Sequence, residues 1–189
     1  TAGLEDISQK GWETVVRTNL TGGFLMSREL YRQCMKEQGA GVIVNITADA
    51  WMSLPTMGHS GAARAGMENF TMTAAVEWGR HGIRVNSVAP GWIITSGFDT
   101  YGSDWGDHMR SLEKYEPLNR LGREAEVSAA IVFLLSPAAA FISGSCIRVD
   151  GAAPNLQHNF PLPEGPGNKH FAGFHREVMP KVFDNSDDN

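Results

Sequence analysis

Cysteine is scarce in this chain of 189 residues: Cys34 and Cys146 are the only two. A disulfide framework and a Cys-based zinc site are thereby excluded. The six histidines are scattered, with no HExxH or His-x-x-x-His pair, so no metal site is expected. Charge is also modest, at 20 % of residues, and 16 Lys plus Arg face 21 Asp plus Glu for a net charge of −5. That balance argues against nucleic-acid or anionic-membrane partners recruited by net charge. No apolar run approaches the ~18 residues of a membrane span, and no basic-then-apolar leader opens the chain. With hydrophobic residues at 42 %, the expectation is a soluble, cytoplasmic, globular protein.

Within those bounds a regular alternation of elements stands out. Trp12, Val16, Leu20 and Phe24 recur every fourth residue, and Leu30 and Cys34 carry a similar face onward, predicting a helix over 8–36. Gly22–Gly23 is expected to interrupt it, permitting a bend or close packing. Gly39 to Gly41 stops it, and Val42–Ile46 follows as a β-branched run suited to a strand covered on both faces. A loop to Gly58 leads to a second helix over 59–80, with Ala63, Met67, Phe70, Ala74 and Trp78 on one face. Ile83–Val88 is the next strand, closed by Pro90-Gly91. Residues 92–122 read as irregular, 125–135 as helical and 146–149 as a last strand. This order predicts an α/β fold, with a parallel sheet of three strands and helices on both faces. After Gly151 the composition turns to prolines and polar patches, so 152–189 reads as an extension wrapped on the surface or partly disordered. A short helix near Phe171–Val178 and an acidic end, Asp184–Asn189, complete it.

A Gly-rich phosphate loop is missing. In a doubly wound sheet the first strand delivers such a loop to the pyrophosphate at a helix N-terminus. No G-x-G-x-x-G occurs here, and the first strand comes after a helix. On spacing alone two readings stand: the downstream half of a dinucleotide-binding domain, or a complete three-strand α/β domain with no nucleotide.

Several motifs bear on that choice. Trp12, Asn19-Leu20-Thr21-Gly22-Gly23-Phe24, Val42–Thr47 and Ile83–Gly91 together resemble the short-chain dehydrogenase/reductase superfamily. Arg120-Leu121-Gly122, Phe141–Gly144 and Val149-Asp150-Gly151 continue the resemblance, which covers about residues 8–151. His59–Gly66 is similar to peroxisomal-type trans-2-enoyl-CoA reductases, and Asn45–Ala48 with Val76–Gly79 to 2,4-dienoyl-CoA reductases. The resemblance implies that residues 1–151 are the C-terminal half of a Rossmann-like domain. The chain would then begin after the family's fourth strand, with the glycine-rich loop outside it. It also implies the cofactor NAD(P)(H).

The family's usual Tyr and Lys lie at i, i+4 on one helix face. The matching residues here are Ser60 and Arg64. A serine hydroxyl holds its proton too tightly to replace the phenol, and a guanidinium cannot shuttle one. Ketone–alcohol interconversion is therefore disfavoured. Reduction of an enoyl thioester tolerates the loss better, because hydride goes to carbon and the site chiefly needs donors aimed at an enolate oxygen. By resemblance, Thr47 matches the carbonyl-polarising Ser and Asn19 the helix-bending Asn that holds a water in the proton path. Arg64 would hold ribose hydroxyls. Pro90, Gly91, Ile93 and Thr95 match the segment contacting the nicotinamide amide and pyrophosphate. Asp49 is the loop carboxylate that could supply a proton, or is simply solvated. In the enoyl-CoA reductases a Tyr falls at Glu68 and its Lys at Met72.

Two functions are expected from these residues. One is an NAD(P)-dependent oxidoreductase acting on an acyl thioester of the enoyl-CoA type. The alternative is a catalytically defective paralogue that serves as a partner subunit. Either is expected as a homo-oligomer, completed by an N-terminal half, with the helices at 8–36 and 59–80 as the dimer surface.

Overall fold

The computed structural model describes all residues except 51–52, 101–102, 158, 161–164, 172, 174–178 and 184–189. The chain divides into two compact units: Thr1–Ala89 with Ile131–Arg148, and Pro90–Ala130 with Val149–Asn189.

The first unit opens on a helical run. Ser8 caps it, its Oγ accepting from the Gly11 N–H at 3.1 Å. The run comprises α1 (Gln9–Val16), a π-helical stretch over Arg17–Thr21, α2 (Gly22–Leu30), a second π-helical stretch over Tyr31–Met35, and α3 (Lys36–Gln38). The glycine pair does not interrupt it, since Gly22 has ordinary helical angles (φ −60°, ψ −47°). Its partner Gly23 serves close packing instead, because a Cβ there would lie 2.6 Å from Met67 Cε. The irregularity falls one turn earlier. Each residue inserted by a π turn rotates the rest of the helix by about 100°, which divides the every-fourth-residue stripe. Trp12 is exposed, whereas Leu20 lies against Gly66 and Phe24 meets the Phe70 ring edge-on at 5.7 Å. Gly39, at φ +66°, ends the run in the left-handed conformation.

Strands β1 (Gly41–Ile46) and β2 (Ile83–Pro90) pair in parallel, from Gly41 opposite Ile83 to Ile46 opposite Val88. Strand β5 (Cys146–Val149) completes a sheet of order β1-β2-β5. The Ser87 N–H bonds to Ser145 O and the Gly91 N–H to Val149 O, so β2 and β5 also advance in the same direction. Helix α4 (Gly58–Gly79) covers one face. Ala74, Ala75 and Trp78 pack there on Ile43, Ile83 and Val85, and Tyr31 stacks on Trp78 at 4.5 Å. The Asn45 amide donates to Thr71 Oγ1 across the same interface at 2.8 Å, which satisfies two buried polar groups.

The second unit departs from the irregular stretch expected over 92–122. It holds a short parallel pair, β3 (Ile93–Ile94) with β4 (Gly122–Arg123), and helix α5 (Ser103–Leu112). Its apolar residues Trp105, Met109 and Leu112 fall at helical spacing, but they are few among polar neighbours. Its anchor is Met109, fully buried with Ile94 and Leu121. Helix α6 (Glu124–Leu135) follows. The extension is not merely laid on the surface, because Pro180 is fully buried and Met179 and Phe183 join the same core. Most of the helix expected at 171–178, and all of the acidic end, lie outside the described residues.

Candidate active site

Parallel sheets bind ligands beyond the carboxyl ends of their strands, where loops bring side chains from different elements together. At that end of β1 sits Thr47, buried, its N–H held by Val88 O at 2.9 Å. Its hydroxyl donates to Glu68 Oε1 at 3.1 Å and lies 3.3 Å from Val88 O. One turn before Glu68 on α4, Arg64 Nη1 donates to Ile46 O at 2.7 Å. The Arg64 guanidinium is half-buried, and burial lowers its pKa from the ordinary arginine value. It makes no ion pair among the described residues. Most of its five donors remain available, a set suited to sugar hydroxyls.

Ser60 stands one turn earlier, half-buried in the first turn of α4. Its N–H donates to His59 Nδ1 at 2.9 Å, so His59 helps start the helix. Asn19 lies within the π-helical stretch Arg17–Thr21, a distortion frequent at functional sites. The neighbouring Leu20 packs on Gly66, which brings that stretch beside the Arg64–Glu68 turn. Asn19, Thr47, Ser60 and Arg64 thus all lie on or against α4 within the first unit.

Glu68 is the residue that sequence reasoning left without a role. Its Oε1 accepts from Thr47 and lies 3.5 Å from Cys146 Sγ, so three elements meet at one carboxylate. A pocket of about 350 Å³ opens there, lined by Ala48, Asp49, Glu68, Ala89, Cys146 and Arg148. Burial pushes the Cys146 thiol pKa up, a hydrogen bond with Ser87 offsets part of that, and the Glu68 charge raises it further, which disfavours the thiolate. The signal available in the sequence was position: Glu68 falls one turn after Arg64, where the enoyl-CoA reductases carry a phenol.

In the second unit, Gly91 has a structural reason to be glycine. A Cβ there would lie 2.8 Å from Asp150 Cα, and its N–H is committed to Val149 O at 2.9 Å. Beyond it, Ile93 pairs with Gly122, and Thr95 O accepts the Phe98 N–H at 3.0 Å. Pro90, Gly91, Ile93 and Thr95 therefore form one segment held firmly by backbone pairing. Among the described residues no group of three or more His, Cys, Asp or Glu side chains could hold a metal ion. Nor is any helix there long and apolar enough to cross a membrane.

Residues 1–152 match the family model described as enoyl-(acyl carrier protein) reductase. This chain belongs to the short-chain dehydrogenase/reductase family. It is 40 % identical over 151 residues to the peroxisomal 2,4-dienoyl-CoA reductase, (3E)-enoyl-CoA-producing, of Rattus norvegicus, covering 78 % of this chain and 50 % of that protein. Among solved structures it is 58 % identical to a citronellol catabolism dehydrogenase of Pseudomonas aeruginosa PAO1, with a TM-score of 0.69. That match covers 80 % of this chain and 58 % of the other. A gluconate 5-dehydrogenase from Burkholderia cenocepacia J2315, solved with NADP and tartrate, is 28 % identical with a TM-score of 0.74. It covers 82 % of this chain and 61 % of that one. The chain thus spans about half to three-fifths of the family members it matches, and its α/β architecture is the Rossmann-like fold of that family.

Proposed function

We propose that this chain is the C-terminal half of a reductase that adds hydrogen across the carbon–carbon double bond of an enoyl thioester. When bound, the nicotinamide cofactor NAD(P)H supplies the hydride. Arg64 holds ribose hydroxyls with the guanidinium donors not given to Ile46 O, and Pro90, Gly91, Ile93 and Thr95 line the nicotinamide end. Ser60 supplies a hydroxyl donor toward the thioester oxygen, where negative charge gathers as an enolate, and the Thr47 hydroxyl, given to Glu68 at rest, turns to that oxygen only when Glu68 carries the proton. Glu68 holds and releases the proton that the α-carbon takes up, with Thr47 fixing the carboxylate's direction. Asn19 keeps the π turn open for a water that replenishes that proton.

The observation that carries this reading is Glu68, bonded to Thr47 and lining a pocket one turn from Arg64, in a helix whose usual phenol position is Ser60. Glu68 is a carboxyl group placed at the pocket wall, whereas the phenol–ammonium pair needed to protonate a ketone oxygen is lacking. The dienoyl-CoA reductase among the relatives supports the substrate class. The sequence lacks the phosphate loop, so an N-terminal half supplies it. Exposed Met26 and Val76 (66 % and 82 % accessible) on α2 and α4 suit a homo-oligomer. The second reading, a partner subunit without turnover, draws on Ser60 and on Met72, where the enoyl-CoA reductases carry lysine.

The test uses the full-length protein with NADH and with NADPH against crotonyl-CoA, a 2,4-dienoyl-CoA and a panel of ketones. Butyryl-CoA from crotonyl-CoA and a mono-unsaturated enoyl-CoA from the dienoyl-CoA, with one NAD(P)H consumed per double bond and ketones untouched, is the expected result. Faster turnover of ketones overturns the substrate class. No turnover of anything, with a stable hetero-oligomer, favours the partner subunit.

A further inference from the structure

The family match ends at residue 152, yet later residues complete the hydrophobic core of the second unit. Two separate contacts fasten them. In the first, Arg120 acts as a bracket. Its Nη1 and Nη2 donate to Glu126 at 2.9 and 2.6 Å, while its Nε reaches Asn168 Oδ1 at 2.8 Å. Glu126 Oε1 in turn accepts the Phe171 N–H at 3.3 Å. Gly167, at φ +64°, lies so close to Leu118 O that no side chain fits there. In the second contact, Phe183 and Met179 pack on the Ile94–Met109–Leu121 core. The Lys181 N–H donates to Asp99 Oδ1 at 3.0 Å, which fixes that end.

Both contacts act on the same short element. Arg120 and Leu121 directly precede β4, and β4 pairs with Ile93–Ile94. Ile94 is itself a wall of the core that Phe183 closes. Without the extension, the segment Pro90–Thr95 keeps its backbone pairing but loses the packing beneath it. We propose that residues 165–171 and 179–183 are a strap that holds Pro90–Thr95 in place, making Arg120 and Phe183 positioning residues for nicotinamide-cofactor binding. The cofactor part rests on the function proposed above; the strap itself does not.

The test compares Arg120→Met, Arg120→Lys and Phe183→Ala in the full-length protein, by amide hydrogen exchange and by steady-state kinetics. In the Met and Ala variants, exchange over 90–123 accelerates at least about tenfold, with α4 amides changing less than about twofold. The KM for the cofactor rises at least about fivefold while kcat stays within about threefold, and Arg120→Lys recovers part of both effects. Unchanged exchange, acceleration spread equally over α4, or an unmoved cofactor KM overturns the proposal. A wild-type protein that binds neither NADH nor NADPH removes the cofactor reading, and with it the positioning role. The exchange pattern still shows whether the strap exists.

Discussion

Replacing Thr47 by valine separates chemistry from packing at the site. The side chains have nearly the same shape, so no cavity opens, and only the hydroxyl is lost. That hydroxyl has one proton, shared between Glu68 Oε1 at 3.1 Å and Val88 O at 3.3 Å. A hydrogen bond to a charged group contributes about 1.5–3 kcal/mol. Cys146 remains beside the same carboxylate oxygen, and Glu68 keeps partial access to water, so the expected loss of stability is about 1–2 kcal/mol. The kinetic effect is larger if Thr47 both aims Glu68 and faces the thioester oxygen. Removing one such donor typically costs about 10²–10³ in kcat, or about 2.7–4 kcal/mol. The two numbers are read independently, from urea denaturation and from initial rates on crotonyl-CoA at saturating cofactor. A kcat within about threefold of wild type, alongside the expected stability loss, makes Thr47 a packing residue and refutes the catalytic assignment. Glu68→Gln provides the cross-check. If the two residues act as one unit, the double variant is scarcely slower than Glu68→Gln alone.

Other perturbations probe the frame around the site. Asn86→Ala removes the buried amide that donates to Ile142 O at 2.8 Å and accepts the Ser145 N–H at 3.0 Å. It should cost about 2–4 kcal/mol in thermal or chemical denaturation, and a loss under about 1 kcal/mol would contradict that bonding. Gly82→Ala forces a Cβ onto the Gly39 carbonyl at a φ of +71°, so a loss of at least about 2 kcal/mol is expected. Burial works against the Glu126 charge, but the Arg120 hydrogen bond and two backbone N–H groups outweigh it and lower the pKa. A lowered folded-state value stabilises the fold above the ordinary glutamate pKa of about 4.3 and is lost as pH falls through the folded value. Exchange over 165–171, corrected for the intrinsic pH dependence of amide exchange, should therefore quicken as pH falls below the ordinary glutamate range, and a profile that stays flat through complete protonation of the carboxylates would exclude that contribution. On the function proposed above, these 189 residues by themselves should bind NAD(P)H weakly, because the sequence carries no phosphate loop. Calorimetry giving a Kd tighter than about 10 μM would contradict this.

The amino-acid order alone specified the layered α/β pattern, because β-branched runs and i, i+4 stripes act between near neighbours and need no distant partner. Val42–Ile46, Ile83–Val88 and Cys146–Val149 were legible for that reason, as was the helix that carries Ser60 and Arg64. It also placed Glu68 in register with Arg64, since 3.6 residues make a turn wherever the helix lies. What local pattern could not supply was the meeting of Thr47 with Glu68 and Cys146, residues 21 and 78 positions from that glutamate. That meeting depends on the register of three parallel strands and on the packing of α4 across them. Helix α5 and the strap at 179–183 were hidden for the same reason. Each carries few apolar residues, and their common packing, Met109 and Phe183 around Ile94, joins segments far apart in the sequence.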